Sequence, residues 1–335
     1  MRQGAKETKT ILVHDQPLSI RVNLYDFLST FRVNEDAYET WLWIDQTSID
    51  QSDVAERNHQ VSMMDQIFRS ADETFMWLGL DHHDGAALRA LRHFGEQVRL
   101  HQDANAADDL AVIRTHLMQQ SLQSHGIQHA VLAKLFDNPY WVRHWIRQEI
   151  VLSRTCTILH GHLQMPWQEL VEISEWAFWS DFENDGLKIE IPGIGIVFRL
   201  GTLAEGYGKY GALLTLIKCI IQDTVCEDPR DKVFGIQSLL EARARIKIDY
   251  CLSVKDVLME ALCTYARLYH ARGDHLWLYF ARLAAAMGLR IEIDELERGM
   301  ATYLEQKHED VLVAEQDLRA LLDYAITERP QIAND

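Results

Sequence analysis

Two segments constrain this chain more than any others. Trp41–Gly79 reads WLWIDQTSIDQSDVAERNHQVSMMDQIFRSADETFMWLG, and Asn138–Gly161 reads NPYWVRHWIRQEIVLSRTCTILHG. In the first, the apolar run Trp41–Ile44 ends at Asp45, as a buried parallel strand does. Ser52 or Asp53 can cap the helix that follows, in which Val61, Met64, Ile67 and Phe68 recur at helical spacing. Thr74–Leu78 has strand character and Gly79 closes it. This predicts a β-α-β unit with a right-handed crossover. The second segment predicts a helix over Tyr140–Ser153, with Pro139 near its first turn where a missing donor costs little. A strand over Thr155–Leu159 follows, ended by Gly161. The fold class expected is α/β.

Around these segments, Thr10–Val13 and Leu18–Val22 alternate about His14-Asp15-Gln16-Pro17 and predict a short hairpin. Asn23 reads as the N-cap of a helix carrying Leu24, Phe27, Leu28 and Phe31. Residues 81–135 read as a helical insertion, with helices over Ala86–Leu100 and Leu110–Leu122. Past Trp167 the chain is mostly helical. Gly193–Gly211 is a glycine-rich interruption, Ser253 opens a long helix with Asp256 at the capping-box position, and Asp294–Arg329 is amphipathic. The expected division is an α/β domain over residues 1–165 and a mostly helical region over residues 166–335.

Charge narrows the function. With 50 acidic and 33 basic side chains the net charge is −17, which argues against non-specific binding to nucleic acid or anionic membrane. The cysteines (Cys156, Cys219, Cys226, Cys251, Cys263) form no C-x-x-C pair, as expected for reduced thiols in an intracellular protein. Arg2, Lys6, Glu7 and Lys9 interrupt any apolar run near Met1. Ile191–Leu203 and Gly211–Ile221 are too short or too interrupted to span a bilayer. A cytoplasmic protein without a membrane span, resident cofactor or metal is expected. Gly206-Tyr-Gly208-Lys-Tyr-Gly211 satisfies G-x-G-x-x-G, yet no convincing strand runs into it and no β-α-β unit follows, so it reads as a flexible loop. Asp81-His82-His83-Asp84 reads as a solvated loop rather than a metal site.

Three ordered blocks carry a family resemblance. LWIDQTSIDQ with ERNHQVSMMDQIF and FMWLG, then NPYWVRHWIRQEIVLS, then DPRDKVFGIQSL followed by IKIDYCLSV, together resemble the heterokaryon-incompatibility (HET) domain of filamentous fungi over roughly Ile11 to Val257. HET domains are in turn similar to TIR domains. The resemblance therefore implies a TIR/flavodoxin-like three-layer parallel sheet, here with the N-terminal hairpin and helical insertion added. It also implies a fungal protein of non-self recognition and programmed cell death, associating with itself or with other incompatibility proteins. Some TIR domains hydrolyse NAD⁺ with a glutamate on the helix before the fourth strand, and the W-x-x-x-E spacing of Trp145 and Glu149 resembles that setting. The chain departs from the family in opening at the hairpin rather than at an A-L-S-Y-x-W-G strand, and in having S-I-D-Q for C-I-N-Q. Without that strand the pocket walls are expected to be incomplete.

Ligands in doubly wound sheets sit outside the carboxyl ends of the strands. Asp45 and Gln46 end one expected strand, and Glu149 lies on a neighbouring helix. The catalytic reading makes Glu149 the carboxylate that stabilises an oxocarbenium-like centre as nicotinamide leaves NAD⁺. Asp45, Gln46 and Trp145 then shape the pocket and Arg57 reaches a phosphate. The alternative is a non-catalytic, self-associating signalling module. In that reading Glu149 pairs with Arg143, Arg147 or Arg154, Asp45 caps a turn, Trp145 packs in the core and Arg57 forms a solvated salt bridge. Asp228, Arg230 and Asp231 are read as a buried structural charge knot.

Overall fold

The computed structural model describes residues 7–33, 40–83, 85–104, 110–183, 193–207, 224–269, 275–291, 295–296 and 298–299. Its elements in chain order are β1 (Thr8–Val13), β2 (Gln16–Arg21), α1 (Val22–Phe31), α2 (Asp45–Ser48), α3 (Val54–Ser62), α4 (Met64–Ser70), β3 (Thr74–Trp77), α5 (Ala86–Ala104), α6 (Leu110–Ser124), α7 (His129–Phe136), α8 (Ile146–Leu152), β4 (Cys156–His160), β5 (Leu163–Pro166), α9 (Trp167–Glu183), α10 (Ile194–Gly206), α11 (Asp231–Phe234), α12 (Val254–Tyr269) and α13 (His275–Ala286). The fold is mixed α/β and rich in helix, with two small sheets. The chain forms two compact units. The first holds Met1–Gln51, Phe68–Val142 and Ser153–Glu205; the second holds Ser52–Ile67, Arg143–Leu152 and Gly206–Asp335. No helix among the described residues is long and apolar enough to cross a membrane.

In the first unit, β1 and β2 pair antiparallel with Val13 opposite Gln16. That leaves His14 and Asp15 as a two-residue loop, both at positive φ (48° and 62°), the backbone that matches the twist of a hairpin. The α1 helix starts two residues earlier than expected. Arg21 occupies the N-cap and no side chain caps it, so Asn23 falls in the first turn. Ile20, Leu24 and Phe27 bury against Leu159 of β4, with Phe75 and Trp77 of β3 packed on the same cluster.

The second sheet has the order β3-β4-β5. Strands β3 and β4 are parallel, and β5, which no sequence signal marked, returns antiparallel. The sheet is thus mixed, not all parallel. Gly79 ends β3 at φ +102°, and its carbonyl accepts the Gly161 amide at 2.9 Å, so the two glycines close adjacent strand ends. Helices α5, α6 and α9 pack together around Leu91, Phe94, Leu117 and Ile173, all buried.

Three expectations need correction. Trp41–Ile44 is not a strand. The Ile44 carbonyl accepts the Thr47 and Ser48 amides at 3.0 and 2.9 Å, so it starts the α2 turn instead of a ladder. Trp41 is fully exposed. The single helix expected over Tyr140–Ser153 is broken. Pro139–Val142 forms a 3-10 turn, and α8 begins only at Ile146 because Arg143 bridges Val225 and the His144 amide donates to the Val225 carbonyl at 2.9 Å. Residues 194–206, expected to interrupt helix, form α10. By contrast, Ser253 and Asp256 make the predicted capping box, the Asp256 amide reaching Ser253 Oγ at 3.1 Å and the two side chains meeting at 2.6 Å. Asp84, the loop from Gly208 to Gly211 and most of Asp294–Arg329 lie outside the described residues.

Candidate functional site

Asp53 builds the first wall of the site. Its carboxylate accepts the Ala55 and Glu56 amides at 2.8 and 3.2 Å and so caps α3, as oxygen side chains do at N-caps. The capped first turn carries Arg57. Its guanidinium lies 3.3 Å from Asp228 Oδ2 and 3.7 Å from Asp231 Oδ1, and 3.5 Å from the centre of the Tyr250 ring. Asp228 in turn takes a forked pair from Arg230, Nε to Oδ1 at 2.9 Å and Nη2 to Oδ2 at 2.8 Å. Such planar two-point pairing is specific to guanidinium. The remaining Arg230 nitrogen, Nη1, donates to the carbonyls of Tyr250 and Leu252, which ties the DPRD turn to the segment before α12. The expected charge knot is therefore present.

Asp231 lies deepest, 5 % exposed. The Tyr250 hydroxyl donates to its Oδ1, and Trp145 Nε1 donates to its Oδ2 at 3.2 Å. Burial raises the Asp231 pKa, and these two donors offset the effect only in part. Burial also acts on Asp228, but the hydrogen bonds and charges of Arg230 and Arg57 outweigh it and hold that carboxyl below its usual range. Two carboxylates three residues apart are thus driven in opposite directions, an arrangement that separates a proton holder from a permanent anion. Tyr250 is raised by its own burial and by Asp231 beside it, so the hydroxyl stays a donor.

A second polar group lies in the same unit. Lys232 Nζ donates to Thr224 Oγ1 at 2.8 Å and to the Thr224 carbonyl. Because ammonium has only donors, Thr224 Oγ1 accepts there, and His144 Nδ1 lies 2.9 Å from the same oxygen. His144 is almost wholly buried. Burial, reinforced by Arg147 and Lys232, lowers its pKa well below the usual value, so the ring is neutral. Gly235 is required beside it, since a Cβ there would lie 2.6 Å from His144 Cδ2. Burial pushes the Cys226 thiol up to about 11, which leaves it protonated and a poor nucleophile.

The structure brings Arg57 and Trp145 together on Asp231. Glu149 belongs to the same unit, half-buried in the first turn of α8, where a carboxylate suits the helix dipole. Trp145 precedes that helix rather than lying within it. Asp45 and Gln46 belong to the first unit and open α2, with Asp45 exposed and its Oδ1 accepting the Gln46 amide at 2.7 Å. Asp81 accepts the His83 amide at 2.8 Å and the Gly85 amide, which makes its loop a turn leading into α5. Among the described residues no three His, Cys, Asp or Glu side chains cluster as a metal would need. Sequence reasoning missed Tyr250, His144, Lys232 and Thr224, whose partners lie 19 to 86 residues away for Tyr250–Asp231, His144–Thr224 and Trp145–Asp231.

Comparison with known proteins gives a family match over the first part of the chain. Residues 1–149 match the family model described as heterokaryon incompatibility protein (HET). Up to Glu149 the chain is thus similar to HET domains. No curated protein and no solved structure gives a significant match. The HET match contains all five residues singled out in the sequence, Asp45, Gln46, Arg57, Trp145 and Glu149. It ends before Asp228, Asp231 and Tyr250, to which the HET-domain residues Arg57 and Trp145 are bonded. The second unit is therefore assembled from HET-domain helices and from sequence well downstream of the match.

Proposed function

We propose that this HET-domain chain acts in fungal heterokaryon incompatibility as a cell-death signalling module that works through association with itself or with other incompatibility proteins. The family match supports the incompatibility role. One observation favours the signalling reading over catalysis: Arg57 and Trp145, two of the residues needed to line an NAD⁺ pocket, are engaged with Asp228, Asp231 and Tyr250. A guanidinium held between two carboxylates and an aromatic ring is poorly disposed to take a phosphate, because moving it would strand buried charge.

NAD⁺ glycohydrolysis through Glu149 is the second reading, favoured by a half-buried glutamate in the first turn of α8, four residues after Trp145. A TIR-like doubly wound core goes with that reading, and the parallel β3–β4 pair with its helical crossover supports it. Expression in a filamentous fungus, scoring cell death and NAD⁺ content for the wild type beside Glu149→Gln, separates the two. Death unchanged in the variant with NAD⁺ intact supports the signalling module. Loss of both death and NAD⁺ consumption in Glu149→Gln replaces it with the hydrolase.

A further inference from the structure

The second unit contains a cleft of about 490 Å³, within the range of small-molecule sites. Its floor is apolar, with Val61 and Ile246 both buried. Its walls are fixed by hydrogen bonds that leave little to reorganise. Gln237 Oε1 accepts the Ile246 amide at 2.7 Å while its Nε2 donates to the Val233 carbonyl. Asn58 Oδ1 accepts the Tyr250 amide at 2.9 Å. Arg245 spends its nitrogens on the Leu240 and Ser238 carbonyls and on Asp65 at 3.0 Å.

Charge is what sets the cleft apart. The chain as a whole carries a net −17, yet His59, Arg245 and Lys247 line the cleft and no carboxylate does. Arg245 is matched by Asp65. Lys247 attracts Asp249 through space but makes no ion pair within 4 Å among the described residues. Positive lining over an apolar floor, in an acidic protein, selects an anionic head on an apolar body. A phosphate has oxygens for both the Lys247 ammonium and the His59 ring, more than a single carboxylate offers, and the bounded volume suits a small molecule. The geometry points to this cleft as a binding site for a small phosphorylated ligand of about mononucleotide size. Lys247 and His59 take the phosphate and Val61 and Ile246 carry the flat body. The site uses none of Glu149, Asp45 or Trp145, so it stands whether or not the protein turns over NAD⁺.

Saturation-transfer NMR on the full chain, with adenosine monophosphate as the probe, tests this. Saturable binding with Kd of about 1 mM or tighter is expected, with adenosine and inorganic phosphate each about tenfold weaker. Lys247→Glu and His59→Glu sit at exposed positions and are expected to keep the thermal melt while weakening the nucleotide about tenfold. Added salt is expected to weaken it as well, through screening. The assignment is overturned if the nucleotide fails to saturate, if adenosine binds equally well, or if both substitutions leave its affinity unchanged.

Discussion

Among the described residues, the polar residues that are buried as a whole in the first unit carry hydroxyls, those of Thr115, Ser121, Thr157 and Ser174, whereas the second buries His144, Arg147, Asp231 and Lys232 along with Gln148, Gln237 and Ser238. The hydroxyls are satisfied cheaply. Ser121 donates to the Ala90 carbonyl and Ser174 to the Val171 carbonyl, so their neighbours are free to be apolar. The ionisable groups of the second unit depend on one another, and each partner removed leaves a charge in a low-dielectric interior. One unit is held mainly by packing. The other is specified by charge complementarity as much as by packing, and the HET-domain residues Arg57 and Trp145 belong to that second kind.

The largest expected effect tests the packing side. Phe94 has no exposed surface and meets Trp176 edge-on at 6.3 Å between ring centres. Phe94→Ala should cost about 3–5 kcal/mol, the sum of lost transfer energy and a residual cavity. Urea denaturation gives the total, and hydrogen exchange read over α5, α6 and α9 locates it. Protection lost equally in α11 and α12 would break the distinction between the two units. Next comes Asp228→Asn, which leaves Arg57 and Arg230 facing an amide in place of a carboxylate. Removing one partner of such a partly buried network costs on the order of 2 kcal/mol, and exchange should rise first around residues 228–252.

How much of this was readable follows from range. The β1–β2 hairpin, the Asp53 cap and the Ser253–Asp256 box depend on neighbours within a few residues, and each appears where local pattern places it. The break between Val142 and Ile146 does not, because its cause is Val225, far along the chain. Trp41–Ile44 has the composition of a buried strand, but composition does not say whether a partner edge exists. The knot at Asp228–Asp231 was legible as charge density, while the bonds of Tyr250 and Trp145 to Asp231, across 19 and 86 residues, carry no local signal.

Acid titration sharpens the comparison with one histidine in each unit. His144 and His160 both have lowered pKa values, in each case chiefly through burial. His144 is pushed further by Arg147 and Lys232, whereas Asp81, 3.9 Å from His160 Nδ1, opposes the shift there. A base with a depressed folded-state pKa contributes stability that is intact above the unfolded value of 6.5 and is lost as pH falls toward the folded value. The second unit should therefore weaken more steeply on acidification, by up to about 1.4 kcal/mol per pH unit. Exchange measured near residues 224–235 at descending pH would show it, and His144→Gln should flatten the profile there while leaving the response around β4 in place.

The smallest effect is the matched control for Asp228→Asn. Glu172 pairs with Arg99 at 2.9 Å in the first unit, a geometry as short as the Arg230–Asp228 contact, but both side chains are about two-fifths exposed. Water already solvates each charge, so little desolvation is recovered by pairing and little is stranded by breaking it. Glu172→Gln should change stability by about 0.5 kcal/mol or less. The same chemical change, acid to amide, then differs several-fold between the units for a reason that distance does not supply: the exposure of the partner left behind. If Glu172→Gln proved as costly as Asp228→Asn, burial would not be what separates the two networks, and the contrast between a packed unit and a charge-specified one would lose its physical basis.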